Sequence, residues 1–510
     1  MALEDIINDR VKKLERFEGA GIDPFPAESE RTHLIGDIVN RFEKLAESQE
    51  KIIAVGRIIG LRNQGNIFFA DIVDGSPSPK GFGGPSKIQF VTKKDDIKDF
   101  ELYRDNLDIG DFIQVTGTLF ITQKGEKSIQ TAELKLLAKS LRPLPDQWSG
   151  LSDVETKLRK RYLDLLANED AKEIFRKKAI FWDTIRAFLK KQKFLEVETP
   201  VFESIPGGAD AEPFITHHNA LNQDFYLRIS LELPLKKLLV GGYERVFEIG
   251  RIFRNEGIDA EHLQDYTAME FYAAYQDYKW LMKFVEKLYK TIVKNILASQ
   301  VVESRLPQGG QSNGRLFTTW QGQQIDWGKK WPKIDYFNIF KEKAGIDLKR
   351  ATEEQLTAKA RELGLNLEQG MGKGRLIDLI YKKTVRPTLV QPCFLVNPPV
   401  EVEPLAKKLT KDENRVARVQ VVACGTELGK GFSELNDPID QRHRFEQQMK
   451  LREQGDKEAQ RLDEDFLEAM NYGMPPAAGF GLSERFFAIL MNKPVRETVI
   501  FPLMRPKKIE

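Results

Sequence analysis

The hydrophobic period of the chain changes near residue 51, and this change limits the folds it can adopt. Before it, apolar residues recur at three- and four-residue steps over residues 3–17, which predicts an amphipathic helix, and a second helix is expected over 33–47. After it come five short runs, IIAVGRIIGLR, NIFFADIVD, SKIQFVT, DFIQVTGTLFIT and SIQTAELKLLAK, broken by Gly, Asp-Gly and Pro signals. Five such strands predict a small closed β-barrel. The segment SPSPKGFGGPSK between two of them is predicted to be a loop.

The rest of the chain divides into a linker and a large domain. The segment RPLPDQWSGLSDVETKLRKRY (142–162) begins with stiffening prolines and runs into a basic helix. Beyond it, long amphipathic helices mix with β-rich runs such as YERVFEIGRIFR, an α+β pattern. A polar stretch from about 298 to 390, with helices over 352–364 and 374–384, is predicted to be an insertion. We therefore expect an N-terminal region at 1–145, a linker at 146–170 and a large domain at 171–510.

Charge and cysteine content narrow the possible partners. Because 78 Lys and Arg stand against 76 Asp and Glu, any RNA contact must come from local patches. Cys393 and Cys424 lie in apolar runs, so neither a zinc site nor a disulfide is expected. The N-terminus lacks a signal-peptide core, and no stretch approaches the roughly 18 apolar residues of a membrane span. A cytoplasmic location without membrane contact is expected.

The stretch RVFEIGRIFRNEGIDAEHLQDYTAMEFYAAYQDY (245–278) is the most informative for function. A strand ending in Arg254 is followed by a loop and by a second strand that contains Glu270 and Tyr272. These two residues are two apart and share one face of their strand. If the strands form a hairpin, Arg254 and that face line one cleft. The alternative, a surface hairpin with solvated charges, poorly explains why these residues stand among apolar ones.

This stretch resembles motif 2 of the class II aminoacyl-tRNA synthetases. Segment KFLEVETPVFESIPGGADAEPF (193–214), which contains Pro200, is similar to motif 1, and PPAAGFGLSERFFAIL (475–490) is similar to motif 3, with Arg485 as its arginine. The family also places an anticodon-binding barrel before its catalytic domain. The resemblance implies an α+β protein with a five-stranded OB-type barrel, an antiparallel-sheet catalytic domain and dimerisation through motif 1.

Three stretches resemble the lysine branch of that family, which contains the bacterial-type lysyl-tRNA synthetases: 207–229, 228–251 and GKGFSELNDPIDQRHRF (429–445). In that branch the pocket carboxylates match Glu232 and Glu434, with Tyr272 beside them. An ε-ammonium taken from water needs opposite charge and acceptors, whereas an aspartate-specific relative needs a cationic pocket. Taken singly, Glu232 could be a carboxylate at a helix N-terminus and Glu434 a capping residue.

The resemblance implies that lysine attacks ATP to give lysyl-adenylate, after which tRNA(Lys) takes the acyl group. Arg254 would bridge the α-phosphate and the substrate carboxylate, since its planar fork suits two acceptors. The other implied ATP contacts are Arg485 and Tyr266 at adenine, Glu256 at its amino group and His262 at a phosphate. Glu427 would hold Mg²⁺, with Gln420 at the second ligand position. Glu270 and Gly208 would receive the lysine α-amino group.

In the barrel, three residues match positions that read the anticodon: Phe69, Gln89 and Glu133. Stacking on a splayed base is the usual mode for single-stranded RNA. Core packing is the alternative for Phe69, because its neighbour Phe68 must point to the opposite face.

Four positions depart from the family pattern. Motif 3 is one residue short, with Gly479, Gly481 and then Ser483, which leaves its strand geometry open. Gln420 replaces a carboxylate, Lys430 an asparagine and Glu261 an arginine. Rival hypotheses are therefore a synthetase for asparagine or aspartate, or a catalytically impaired tRNA-binding paralogue. The barrel argues against a third, an enzyme that lysylates a protein.

Overall fold

The computed structural model describes residues 2–77, 85–145, 151, 153–257, 263–301, 316–367 and 371–506. The chain forms two compact units, one of residues 1–173 and 300–308 and one of residues 174–299 and 309–510. Within the described ranges, no helix is both long and apolar enough to cross a membrane.

The first unit combines short helices with five strands. Its elements are α1 (Leu3–Gly19), α2 (Ile35–Asn40), α3 (Phe42–Ser48), β1 (Ile52–Asn63), β2 (Ile67–Pro77), β3 (Pro85–Lys93), α4 (Phe100–Asn106), β4 (Phe112–Ile121), β5 (Lys127–Ala138), α5 (Val154–Arg159) and α6 (Arg161–Ala167). The helix predicted over 3–17 is confirmed as α1. The single helix predicted over 33–47 was wrong, because the backbone leaves the helical region at Arg41 (φ −109°, ψ 20°) and separates α2 from α3.

The five strands close into a barrel in the order β1-β2-β3-β5-β4, which confirms the barrel prediction. Strands β3 and β5 are parallel, and the other pairs are antiparallel. Alternate residues of β2 and β3 fill the interior, among them Phe68, Ala70 and Phe90, all fully buried. The predicted loop was too long at both ends, since β2 and β3 still pair at Pro77 and Pro85; residues 78–84 lie outside the described ranges.

The second unit is built on one large sheet. Helix α7 (Glu169–Lys191) begins in the first unit and ends in the second. The elements that follow it are β6 (Leu195–Glu196), β7 (Phe202–Glu203), β8 (Ile215–His218), β9 (Gln223–Leu227), α8 (Glu232–Val240), β10 (Arg245–Phe253), β11 (Asp265–Ala274), α9 (Tyr278–Val301), β12 (Phe317–Trp320), β13 (Gln323–Asp326), β14 (Lys333–Asp335), α10 (Tyr336–Ala344), α11 (Glu353–Glu362), α12 (Lys373–Thr384), β15 (Cys393–Val396), β16 (Lys408–Leu409), β17 (Asp412–Val416), β18 (Arg418–Ala423), β19 (Thr426–Ser433), α13 (Pro438–Glu453), α14 (Glu464–Asn471), β20 (Ala477–Ser483) and α15 (Arg485–Leu490). Short 3-10 turns cover Arg386–Thr388, Val400–Val402 and Val495–Thr498. The sheet has eight strands in the order β14-β15-β18-β19-β20-β11-β10-β6.

The two faces of this sheet carry different residues because side chains alternate along each strand. On β11, Met269, Phe271 and Ala273 enter the core that α7 and α9 cover. Tyr272, on the opposite face, packs with the apolar side of α8, while Glu270 shares its face. Alternate residues of β11 thus contribute to a hydrophobic core on one face of the sheet and to a polar surface on the other.

The polar stretch from about 298 to 390 forms regular structure where it is described. The helices predicted over 352–364 and 374–384 are α11 and α12, and α11 begins with a capping box between Thr352 and Gln355. Strand β14 joins the edge of the large sheet, parallel to β15. That this stretch is an insertion stays a prediction.

Candidate active site

A cavity of about 390 Å³ opens on the polar face of the large sheet. It brings together nine of the residues predicted to bind ATP or lysine: Gly208, Glu232, Arg254, Tyr266, Glu270, Tyr272, Glu427, Lys430 and Arg485. Glu434, Gln420 and Glu256 are not among its lining residues. His262 and Glu261 lie outside the described ranges. The cavity also includes α12 residues that the sequence did not single out, Arg375, Asp378 and Lys382.

Arg254 follows the end of β10 and is fixed by the hairpin that this strand forms with β11. Its backbone N–H donates to the carbonyl of Gln264 at 2.8 Å, and its Nε donates to the carbonyl of Ile229 at 3.4 Å. The guanidinium carbon lies 5.7 Å from the centroid of the Tyr266 ring. Burial opposes the charge most strongly, but Tyr266, Glu256 and Glu270 outweigh it and raise the pKa of Arg254. The cavity therefore contains a permanently charged planar fork.

Strand register places a row of functional side chains across the sheet. Glu270 of β11 pairs with Gly481 of β20, Gly481 pairs with Lys430 of β19, and Lys430 pairs with Gln420 of β18. Although the motif 3 segment is short of one glycine, β20 pairs with both neighbours without a register shift. The strand geometry that the sequence left open is thus regular.

Gly479 and Gly481 differ in how closely other atoms approach them. A Cβ on Gly479 would overlap the ring of Tyr272 and lie 2.5 Å from Oε1 of Glu434, whereas one on Gly481 would lie 3.3 Å from Cγ of Glu270. We expect Gly479→Ala to destabilise the protein by about 1–3 kcal/mol through overpacking and to displace both neighbours. Gly481→Ala is the matched comparison and should have the smaller effect. Thermal unfolding of both variants measures this, and equal midpoints would contradict it.

Glu270, Tyr272 and their neighbours form a hydrogen-bonded group in the lining of the cavity. Oε1 of Glu270 accepts from the Ser230 hydroxyl at 2.8 Å and from the Leu231 N–H at 3.0 Å. The Tyr272 hydroxyl donates to the other oxygen, Oε2, at 2.9 Å. These donors hold the carboxylate of Glu270 in one orientation.

Glu232 and Glu434 lie on either side of a lysine that the sequence analysis missed. Nζ of Lys236, which has no exposed surface, lies 2.5 Å from Oε1 of Glu232 and 2.5 Å from Oε2 of Glu434. Glu232 and Lys236 are four apart on α8, so the helical spacing was the available signal. Glu434 is buried behind Gly479. The two carboxylates are thus adjacent, as the pocket hypothesis requires, and they share an internal cation.

Burial is the main influence on the ionisation of this group. It raises the pKa of Glu232 to about 7, and it also raises the pKa of Glu434; Lys236 opposes both effects. For Lys236, burial acts against the charge, but Glu232 and Glu434 outweigh it and raise its pKa. Lys236 is therefore charged at neutral pH.

Lys430 also has a partner that the sequence did not indicate. Its ammonium donates to Oε2 of Glu403 at 2.9 Å, and Nε of Arg418 lies 3.5 Å from the same oxygen. Glu403 is buried, and it fixes the direction of the Lys430 side chain. The repulsion between Lys430 and a second ammonium is reduced because Glu403 compensates its charge.

Glu427 and Gln420 are the residues expected at a metal site. The Gln420 amide donates to Oε2 of Glu427 and accepts from the Tyr381 hydroxyl at 3.2 Å. Burial raises the pKa of Glu427 most, but Lys430, Arg418 and Arg485 outweigh it and lower the pKa, so the carboxylate is ionised. Over the described part of the chain, no three acidic, histidine or cysteine side chains cluster as a metal site. The donor set fits one carboxylate ligand to an ion that keeps most of its other ligands from phosphates and water.

The three predicted anticodon contacts lie in the first unit and differ in exposure. Phe68 points into the barrel and Phe69 to its outer face, where it is half-buried, so core packing does not account for Phe69. The Arg62 guanidinium lies 6.0 Å from its ring. Gln89 is buried and accepts from the Ser128 hydroxyl at 3.1 Å, whereas Glu133 is exposed.

Comparison with known proteins gives a consistent result over the whole chain. Residues 153–505 match the family of class II tRNA synthetases (D, K and N), and residues 52–144 match the OB-fold nucleic acid binding domain. The chain is 41% identical to a lysine–tRNA ligase of Roseiflexus castenholzii over 514 aligned residues, covering all of both chains. It is 42% identical to that of Moorella thermoacetica, covering 99% of each, and 40% identical to that of Bacillus subtilis, covering 99% of this chain and 98% of the relative.

Proposed function

Since the chain belongs to the lysine–tRNA ligases within the class II tRNA synthetases, we propose that its cavity binds lysine and ATP, forms lysyl-adenylate and transfers the lysyl group to the 3′ end of tRNA(Lys). The observation that supports this best is one cavity lined both by Arg254 and Arg485 and by Glu232, Glu270 and Tyr272. The cationic residues suit a triphosphate, and the acidic residues suit a diamino acid.

In the first step, the lysine carboxylate oxygen forms a bond to the α-phosphorus of ATP, and the bond from that phosphorus to the departing pyrophosphate oxygen breaks. The nucleophile is already an anion, so the residues need only align the reactants and stabilise developing negative charge. Arg254 bridges the α-phosphate and the substrate carboxylate. Glu270 and the backbone of Gly208 receive the α-amino group, and Glu232 and Glu434 receive the ε-ammonium.

The remaining ATP contacts are proposed from the resemblance to motifs 2 and 3. Tyr266 stacks on one face of adenine and Arg485 lies on the other face and against the γ-phosphate. Glu256 reads the adenine amino group, and His262 contacts a phosphate. Lys430, held by Glu403, adds a positive charge at the substrate carboxylate.

Glu427 would hold Mg²⁺ through its carboxylate, and the ion would supply positive charge against the phosphates of ATP. Because Gln420 supplies an amide where a second carboxylate would stand, we expect Gln420→Glu to lower the Mg²⁺ concentration for half-maximal activity. Titration of Mn²⁺ bound to the protein by electron paramagnetic resonance checks this independently of activity. Tighter binding is expected in the variant, and unchanged Mn²⁺ affinity would contradict the assignment. Leu428→Met, a buried neighbour without ligand oxygens, is the control.

The first unit is proposed to bind the anticodon, with Phe69 stacking on a base and with Gln89 and Glu133 reading base edges. We propose residues 1–145 as this domain, 146–170 as a linker and 171–510 as the catalytic domain, and the cytoplasm as the place of action. The protein is also proposed to act as a homodimer through residues of motif 1. Sedimentation at micromolar concentration should give a mass near twice that of one chain, and a monomer would contradict it.

Amino-acid-dependent ATP–pyrophosphate exchange tests the proposed function. Lysine should drive exchange at saturating Mg²⁺, whereas asparagine and aspartate should not, because Glu232 and Glu434 would repel the side-chain carboxylate of aspartate and would receive no ammonium from the neutral amide of asparagine. Exchange with asparagine or aspartate in place of lysine would overturn the substrate. Binding of tRNA without exchange by any amino acid would instead support a non-catalytic paralogue.

A further inference from the structure

Lys236 is a buried ammonium next to the two pocket carboxylates, and no step described above uses it. Its nitrogen contacts Glu232 and Glu434 at 2.5 Å each. The rings of Phe432 and Phe466 lie 5.3 and 6.0 Å from it. Moving an ammonium from water into such surroundings costs several kcal/mol unless opposite charges compensate it. Lys236 is therefore stable there as the partner of both carboxylates.

Each carboxylate gives one oxygen to Lys236 and keeps one. Lys236 occupies Oε1 of Glu232 and Oε2 of Glu434. Among the described residues neither oxygen of Glu434 receives a hydrogen bond: Oε2 has its ion pair with Lys236, and Oε1 is buried beside Gly479 without a partner. Glu232 lines the cavity. An orphaned buried oxygen of this kind calls for a partner, and a bound ammonium would supply it.

We propose that Lys236 is a positioning residue for the side chain of the substrate: it holds one oxygen of Glu232 and one of Glu434, so that the two remaining oxygens receive a single further ammonium. When both carboxylates are ionised, they and the internal ammonium leave one net negative charge, which one substrate ε-ammonium neutralises. Glu270 lies close by, but Ser230, Leu231 and Tyr272 orient its carboxylate, which is assigned to the α-amino group. This proposal rests on the assignment of the lysine pocket made above.

The proposal predicts how the KM for lysine depends on pH. The charged and titratable groups that face Glu232 and Glu434 are Lys236, Glu270, Tyr272 and Glu403. Binding of an ammonium needs ionised carboxylates, which are present above their pKa and are lost as the pH falls through it. Because the pKa of Glu232 is raised to about 7, the KM for lysine should rise below about pH 7. Without Lys236 the carboxylates lose the neighbouring charge that lowers their pKa, so this rise should begin at higher pH.

Lys236→Met keeps the length of the side chain and removes its charge. We expect the KM for lysine at pH 7 to rise at least tenfold, the KM for ATP to change by less than threefold, and the midpoint of the pH profile to move up by one unit or more. Lys237→Met is the matched control, since Lys237 is a partly exposed neighbour paired with Asp465, and it should leave all three quantities unchanged. A KM for lysine and a pH midpoint equal to those of the unmodified enzyme would overturn the proposal. Equal increases for lysine and ATP would also overturn it, because they indicate a merely structural residue.

Glu434→Gln covers the case in which Lys236→Met does not fold. It leaves Lys236 with Glu232 alone, so the pH midpoint should move down, and a midpoint that moves up would overturn the proposal. Glu232→Gln distinguishes a failure of the role proposed for Lys236 from a failure of the pocket assignment. If it raises the KM for lysine while Lys236→Met does not, only the role of Lys236 fails; if Glu232→Gln has no effect, the pocket assignment itself fails.

Discussion

Arg254→Ala is expected to lower the rate of lysine-dependent ATP–pyrophosphate exchange by roughly 10³-fold, the upper end of the loss seen when one preorganised transition-state donor is removed. The side chain lies in the cavity over Tyr266, fixed through the carbonyls of Gln264 and Ile229. Its fork is proposed to align the substrate carboxylate with the α-phosphate and to neutralise charge on the latter. In the variant, the methyl group of alanine and the water that replaces the guanidinium supply neither function. Single-turnover formation of lysyl-adenylate measures the chemical step directly.

Arg251→Ala is the control for this experiment. Arg251 lies on β10, three residues before Arg254, but it is exposed and pairs with Asp265. Removing an exposed ion pair costs about 1 kcal/mol or less, so the exchange rate should stay near that of the unmodified protein. Similar losses in both variants would mean that β10 responds as a structural unit, and the assigned role of Arg254 would then be wrong.

Glu232→Gln is expected to raise the KM for lysine by roughly 30-fold or more, since a charge buried without its partner loses about 2–5 kcal/mol. The KM for ATP should change little, because Arg254 and Arg485, the proposed ATP contacts, remain. The variant also leaves Lys236 with Glu434 alone, so a lower unfolding temperature is expected. Initial rates at varied lysine and varied ATP give the two KM values separately.

The control is Glu244→Gln, an exposed carboxylate in the turn before β10. It removes the same charge from the same region without touching the cavity, so both KM values should be unchanged. If Glu232→Gln raises the two KM values by the same factor, the residue supports the whole cavity and the lysine pocket must be placed elsewhere.

Local patterns in the sequence determined most of the architecture. The change of period near residue 51 predicted the barrel, because alternation within a strand reflects its own two faces. The spacing of Glu270 and Tyr272 placed them on one face for the same reason. Prediction failed where one residue changed the course of the backbone: Arg41 interrupts a continuous apolar pattern and divides one expected helix into α2 and α3.

Only the tertiary structure decided which charges meet. Glu403 and Lys430 are 27 positions apart, and Lys236 and Glu434 lie nearly 200 positions apart. No local period connects such residues, because their proximity depends on the order and register of β18, β19, β20 and β11. The sequence therefore determined the barrel and the hairpin of β10 and β11, and it predicted the residues that are proposed to carry the chemistry. The structure decided that Lys236 lies between the pocket carboxylates and that Glu403 holds Lys430, since ionic contacts act through space and not along the chain.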